Sequence, residues 1–139
     1  MDYETVSAGA FGASLRGIGL NLLTRDVRRM VTQLCTVFGM TAHRLSDDFA
    51  ILRYGDQVFQ VHSDGTYGSN PLLGLLPELP PRGAGLEIRL YDTDPDRAVE
   101  IAEENGFTVL QPPTDKPHGL RECYLLCADG YAWVPSRPL

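Results

Sequence analysis

No stretch of this 139-residue sequence is apolar for long enough to cross a membrane as a helix. Nor does a phosphate-cradling glycine loop follow a strand and open a helix, and no nucleophile elbow is present, so P-loop and serine-hydrolase chemistry find no support. Basic residues are short: 12 Lys and Arg stand against 18 Asp and Glu, a net charge of −6 that argues against nucleic acid or anionic membrane as a partner. That balance suits a cationic small ligand, and equally plain solubility. Only three cysteines occur, an odd count in a chain long enough to bury a core without staples, so reduced thiols are expected. Cys123 and Cys127 fall on one extended segment, roughly 13 Å apart, too far for a disulfide or a shared metal. Cys35 falls on the apolar face of a helix and reads as core. Residues 1–15 carry Asp2 and Glu4 without a basic cluster, then a Gly/Ala/Ser stretch. They read as a loose arm rather than a targeting peptide, and a cytoplasmic location is expected.

What is present is a pattern that occurs twice. Gly17 to Leu23 alternates Ile18, Leu20 and Leu22 with Gly19 and Asn21, as a half-buried strand does. Asp26 then caps a helix whose stripe is Val27, Met30, Val31, Leu34, Cys35 and Phe38, closed by Gly39. Extended segments are expected at Thr41–Leu45, Phe49–Tyr54 and Gln57–His62. In the second half Leu86 to Tyr91 alternates again. Asp94 caps a helix with Pro95 at its first position, Ala98, Ile101 and Ala102 form the stripe, and Gly106 ends it. Strands are expected at Thr108–Gln111, Glu122–Cys127 and Tyr131–Val134, with Asp129-Gly130 as the last hairpin turn and Pro135 as terminator. The Gly- and Pro-rich segment between the halves is expected to hold a short helix over Leu72–Leu76, its leucines covering a cavity, a partner subunit or simply their own loop. The chain is thus read as one domain over 16–139, with module one at 16–62, a linker at 63–84 and module two at 85–137.

Each sheet in such a unit packs one face on its helix. Alternation puts Gly19, Asn21, Gln60, His62, Glu87, Arg89 and Tyr91 on the other face, where unpaired polar groups are costly to bury, so a concave binding site is the economical reading. Glu87 and Arg89 share a strand face roughly 7 Å apart, either orienting a ligand or satisfying one another as an ion pair. His62 lies at a strand end as a ligand contact, a general base, or neither. His118, in Pro117-His118-Gly119, stands in a loop ahead of the closing hairpin. Phe49, Tyr54, Tyr67, Tyr91 and Tyr124 can supply flat walls, and Trp133 reads as core.

Ile18-Gly19-Leu20-Asn21-Leu22 leading to Asp26, then Phe38-Gly39, resembles the opening of vicinal oxygen chelate domains, the glyoxalase, bleomycin-resistance and extradiol-dioxygenase superfamily. The segment from His118 to Tyr124, with Ala128-Asp129-Gly130-Tyr131-Ala132-Trp133, looks like the closing hairpin of the same domains. The resemblance spans residues 16–137. It implies an α+β fold of two tandem βαβββ modules, a curved mixed sheet around a cup-shaped cavity, and often a homodimer. It also implies four metal-ligand positions, which fall on Gly19, Gln60, Glu87 and Val134. Gly19 and Val134 have no donor and Gln60 is an amide, whereas a bound first-row divalent ion normally needs three good ligands. No cofactor is therefore expected, and metal-dependent glyoxalase I activity is disfavoured. A two-residue slip would bring in Asn21 and His62 and keep a non-standard metal site open. The resulting expectation is metal-independent binding of a small organic ligand, an antibiotic or metabolite, by Asn21, Gln60, His62, Glu87, Arg89, Tyr91 and His118. The alternative is a lyase, isomerase or dioxygenase-like enzyme using Glu87 as its acid or base. A third reading is a structural module whose cavity is filled by its own side chains.

Overall fold

A computed structural model describes all 139 residues. The strand β1 (Asn21–Thr24) is followed by helix α2 (Val27–Phe38) and by β2 (Thr41–His43), β3 (Phe49–Tyr54) and β4 (Gln57–Ser63). The second run is β5 (Glu87–Leu90), α3 (Pro95–Glu104), β6 (Thr108–Asp115), β7 (Leu120–Leu126) and β8 (Ala132–Pro138). The fold is therefore α+β with two βαβββ modules. Their eight strands form two four-stranded mixed sheets, ordered β1-β4-β3-β2 and β5-β8-β7-β6. In each, the first and last strands of the module pair in parallel and the other pairs are antiparallel. No helix is long and apolar enough to cross a membrane.

Contacts divide the chain into two compact units, residues 1–35 with 39–74, and residues 36–38 with 75–139.

In the first unit, Asp26 caps α2 by accepting from the Arg29 N–H, and Gly39 ends it at φ 69°, a conformation that costs glycine nothing. Leu22, Ala50, Leu52 and Val61 are buried on one sheet face, as are Val27, Met30, Val31 and Leu34 along α2. Cys35, expected as core, is only half-buried. β1 is shorter than the alternation suggested. It starts at Asn21, and Ile18, ahead of the strand, is 97% exposed. β2 stops at His43 because Arg44 turns to φ 52°, in the left-handed region. The segment expected as a loose arm carries a helix, α1 (Ala8–Ser14), capped by Ser7. The Arg44 guanidinium grips its approach by donating to the Tyr3 and Val6 carbonyls, and Tyr3 packs against Phe11 and His43. A 3-10 turn at Asp64–Tyr67 closes β4, and the expected linker helix is a 3-10 turn at Pro71–Leu75 started by the Asn70 side chain.

In the second unit, Asp94 accepts from the N–H groups of Asp96 and Arg97, and α3 packs Ala98 and Ala102 onto β6, β7 and β8. Trp133, Leu125 and Cys123 are fully buried, and burial pushes the Cys123 thiol up to about 12, making it inert. Leu86 lies outside β5 and is 41% exposed, so it does not join the core as expected. β6 runs further than expected, through Pro112-Pro113, which an edge strand with register shifts can accept. β8 also passes Pro135, expected to end it. The residue stays opposite Leu90 of β5, while the recorded β7 pairs skip its position. Leu75 and Leu79, expected to cover apolar surface, are 80% and 75% exposed.

Candidate functional site

The sequence-predicted residues separate into two groups, one on each sheet. In the first unit β1 and β4 set Asn21 opposite Gln60 and Leu23 opposite His62, while β3 sets Phe49 opposite His62. The Asn21 amide donates to the Tyr67 hydroxyl at 3.2 Å, and His62 Nε2 lies 3.1 Å from Gln60 Oε1. The His62 ring stands between Phe49 and Tyr67, at 5.1 and 5.3 Å between centroids. Burial among them lowers the imidazole below its ordinary value, so this group is held neutral. Tyr67 joins the group through the turn that follows β4. Gly19 lies ahead of β1, and the residue in register with Gln60 is Asn21.

The second unit gathers charge. Arg89 of β5 donates from Nη1 to Glu87 Oε2 at 3.2 Å and from Nη2 to Glu122 Oε2 of β7. Its guanidinium also lies 5.7 Å from the centre of the Tyr91 ring. His118, half-exposed in the turn before β7, places Nε2 3.3 Å from the same Glu122 oxygen. The Glu122 side chain is 2% exposed, whereas that of Glu87 is 48% exposed. Burial alone would raise the Glu122 carboxyl, but the bonds from Arg89 and His118 outweigh it and hold the group below its ordinary range. Arg89 is raised in turn, its burial outweighed by the bonds it donates to Glu122 and Glu87. The Tyr124 hydroxyl bonds to Glu87, which raises the phenol.

Glu87 and Tyr124 also face a recess of about 780 Å³ on this sheet. β8 contributes Ala132 and β7 contributes Leu126, while Leu110 of β6 completes the floor. One wall is the linker, at Pro81, Ala84 and Leu86. The linker is docked on the last hairpin by bonds from Arg82 N to Asp129 O and from Gly83 N to Gly130 O, both 3.0 Å. Arg89, Tyr91 and Gln60, expected to line a cavity with Glu87, are not among the residues around this recess.

Glu122 is the member of this charged cluster that sequence reading missed. It sits on the recognised strand, but its partner Arg89 lies 33 residues away, and a non-local pair leaves no local pattern. The available signal was one acid set next to Cys123 in a strand that is apolar from there to Leu126.

The four positions that the superfamily resemblance assigned to a metal do not make a donor set. Gly19 offers no side chain, Val134 is aliphatic and fully buried, and only Glu87 carries a carboxylate. No group of three or more His, Cys, Asp or Glu side chains is arranged to hold an ion.

Two βαβββ modules with parallel first and last strands are the architecture of the vicinal oxygen chelate superfamily, and this chain has that fold. Among similar solved structures is a glyoxalase/bleomycin resistance protein/dioxygenase family enzyme from Burkholderia phytofirmans PsJN, 18% identical, with a TM-score of 0.73 over 87% of this chain and 97% of that one. TioX from Micromonospora sp. ML1 is 22% identical, with a TM-score of 0.63 over 90% of this chain and 100% of its own. The fosfomycin resistance protein FosX from Mesorhizobium loti is 17% identical, with a TM-score of 0.62 over 91% and 93%. At these identities the likeness is one of fold. No protein-family model matches the sequence, and a search of the curated proteins finds no match.

Proposed function

We propose that this protein binds a small organic molecule without a metal ion, in the recess of the second unit. The observation that carries the reading is the lining. An apolar floor and wall surround one accessible carboxylate, Glu87, with the Tyr124 hydroxyl beside it. A volume near 780 Å³ falls in the range of drug-sized sites, which are mostly apolar with a few fixed polar groups. The ligand class that matches is an apolar body bearing a cationic or hydrogen-bond-donating group. Resistance proteins among the neighbours of like fold, FosX by its name a fosfomycin resistance protein, support an antibiotic or a metabolite as the natural ligand. Missing donors at Gly19 and Val134 support independence from metal. The reading includes a homodimer, supported by the exposed Leu75 and Leu79, and sedimentation that finds only monomer removes that part.

Metal analysis and a thermal-shift screen test the reading together. The purified protein is expected to hold no stoichiometric divalent ion. A ligand at 100 times its dissociation constant is expected to stabilise it by about 2.7 kcal/mol. Glu87→Gln should abolish the shift for a cationic hit. One tightly held metal per chain, or a shift that survives Glu87→Gln and bulky substitutions at Leu110 and Leu126, would overturn it.

A further inference from the structure

Three charged side chains meet beside the recess, and they do not balance. Glu87 and Glu122 both bond to Arg89, which leaves one negative charge over. The two carboxylates are unlike in exposure: Glu122 is shut away from water and Glu87 opens onto the recess. A buried carboxylate stripped of its cation is strongly destabilising, whereas an exposed one is solvated, so the guanidinium's first commitment is to Glu122. Two further features fix that commitment. Arg89 spends one nitrogen of its fork on each acid, and its plane rests near Tyr91, so it is held beside the recess rather than in it. His118 approaches the same Glu122 oxygen from the turn ahead of β7, a second contact on the carboxylate.

We propose that Glu122 is a positioning residue that sets the charge preference of the recess. By sharing Arg89, it leaves Glu87 only partly compensated, and the site selects a cationic ligand over a neutral one of the same shape. Without Glu122 the guanidinium and Glu87 form a one-to-one pair, and the recess becomes an electrically neutral apolar site. The charge distribution along the chain agrees: residues 1–74 hold six basic and seven acidic residues, residues 75–139 six and eleven. The inference rests on the ligand-binding reading above, and the experiment separates the failure of one from the failure of the other.

The probes are phenylbutylammonium, phenylbutanol and phenylbutanoate, which share an apolar body and differ in charge. Calorimetry is done at about pH 8, where an ordinary imidazole is neutral. The wild-type protein is expected to prefer the ammonium over the alcohol by about tenfold, the scale of one unit charge at contact in a partly solvated site. Glu122→Gln should bring that preference within about twofold and leave the alcohol's affinity unchanged. Adding Arg89→Met to Glu122→Gln removes both members of the buried pair and should restore the tenfold preference, which a merely structural role for Glu122 would not do. If Glu122→Gln does not fold, Arg89→Lys replaces it. A lysine keeps the charge but not the two-nitrogen fork that reaches both carboxylates, so its hold on Glu87 is weaker and the preference should rise above wild type. A preference that survives Glu122→Gln, that is not restored in the double variant, or that fails to rise in Arg89→Lys overturns the role of Glu122 while the recess stands. Equal wild-type affinity for ammonium and alcohol does the same. Failure of all three probes to bind overturns the recess as a binding site, and this inference with it.

Discussion

On the polar face of the first sheet Asn21 stands beside Gln60, and one row further on His62 stands beside Phe49. Counting from the capping aspartates Asp26 and Asp94, the corresponding positions in the second unit are Arg89 beside Val134 and Ser136 beside Glu122. Strand order, parallel pairing and helix caps are shared, yet one face is neutral and aromatic and the other is charged. The lesson is that a duplicated backbone constrains where side chains point and leaves their chemistry free. An imidazole between two rings and a carboxylate between two nitrogen donors both satisfy a half-covered sheet face, by burial of aromatic area in one case and by ion pairing in the other.

The widest gap between the units should appear on truncation. Glu122→Ala removes the buried acceptor of both Arg89 and His118, leaves Arg89 only the exposed Glu87, and should cost about 3 kcal/mol in urea unfolding. Phe49→Ala at the matching position removes a half-buried ring and should cost about 2 kcal/mol. Equal losses would mean that the ion pair is no more constrained than the aromatic stack. The caps should behave alike: Asp26→Ala and Asp94→Ala should each lose about 1 kcal/mol, and a clear inequality would break the equivalence of the two modules.

Much of the architecture was legible in advance because it is local. Period-two alternation, Asp26 and Gly39 around one helix, and Asp94-Pro95 at the start of the other are short-range signals that the backbone obeys directly. Errors arose where distant residues decide. Ile18 keeps the strand period but lacks a neighbour to cover it, and Arg44 grips a segment about 40 residues earlier in the chain. Of the candidate site, Glu87, Arg89 and His118 were reached by face and loop position. What joins them, the buried Glu122, was not, since an acid within a strand reads as ordinary until its partner is placed.

Acid should separate the units by pH. His62 is depressed from its ordinary 6.5 and Glu122 from its ordinary 4.5. In both cases the unfolded chain takes up the proton first, so stability is retained above the ordinary value and falls as pH drops towards the depressed one. Unfolding curves should therefore show a first loss below pH 6.5 that His62→Gln removes, and a second below pH 4.5 that requires Glu122. A single transition governed by Glu122 alone would show that His62 is solvated. The smallest effect belongs to Arg28 and Asp47, an exposed pair in the first unit at 2.6 Å. Asp47→Ala should change stability by less than about 0.5 kcal/mol, and a larger loss would put charge at the centre of that unit too.

The dock of the linker on the last hairpin reaches beyond its two hydrogen bonds. A Cβ placed on Gly130 would stand 2.3 Å from Pro81 Cα, and the residue already holds φ 83°. One wall of the recess is thereby cast against a notch that no side chain can enter. Because that wall belongs to the connector between the repeats and not to either sheet, substitutions at Pro81, Ala84 and Leu86 would reshape the recess while leaving the strand ladders intact. The size of the recess can thus be changed through a segment that lies outside both strand ladders.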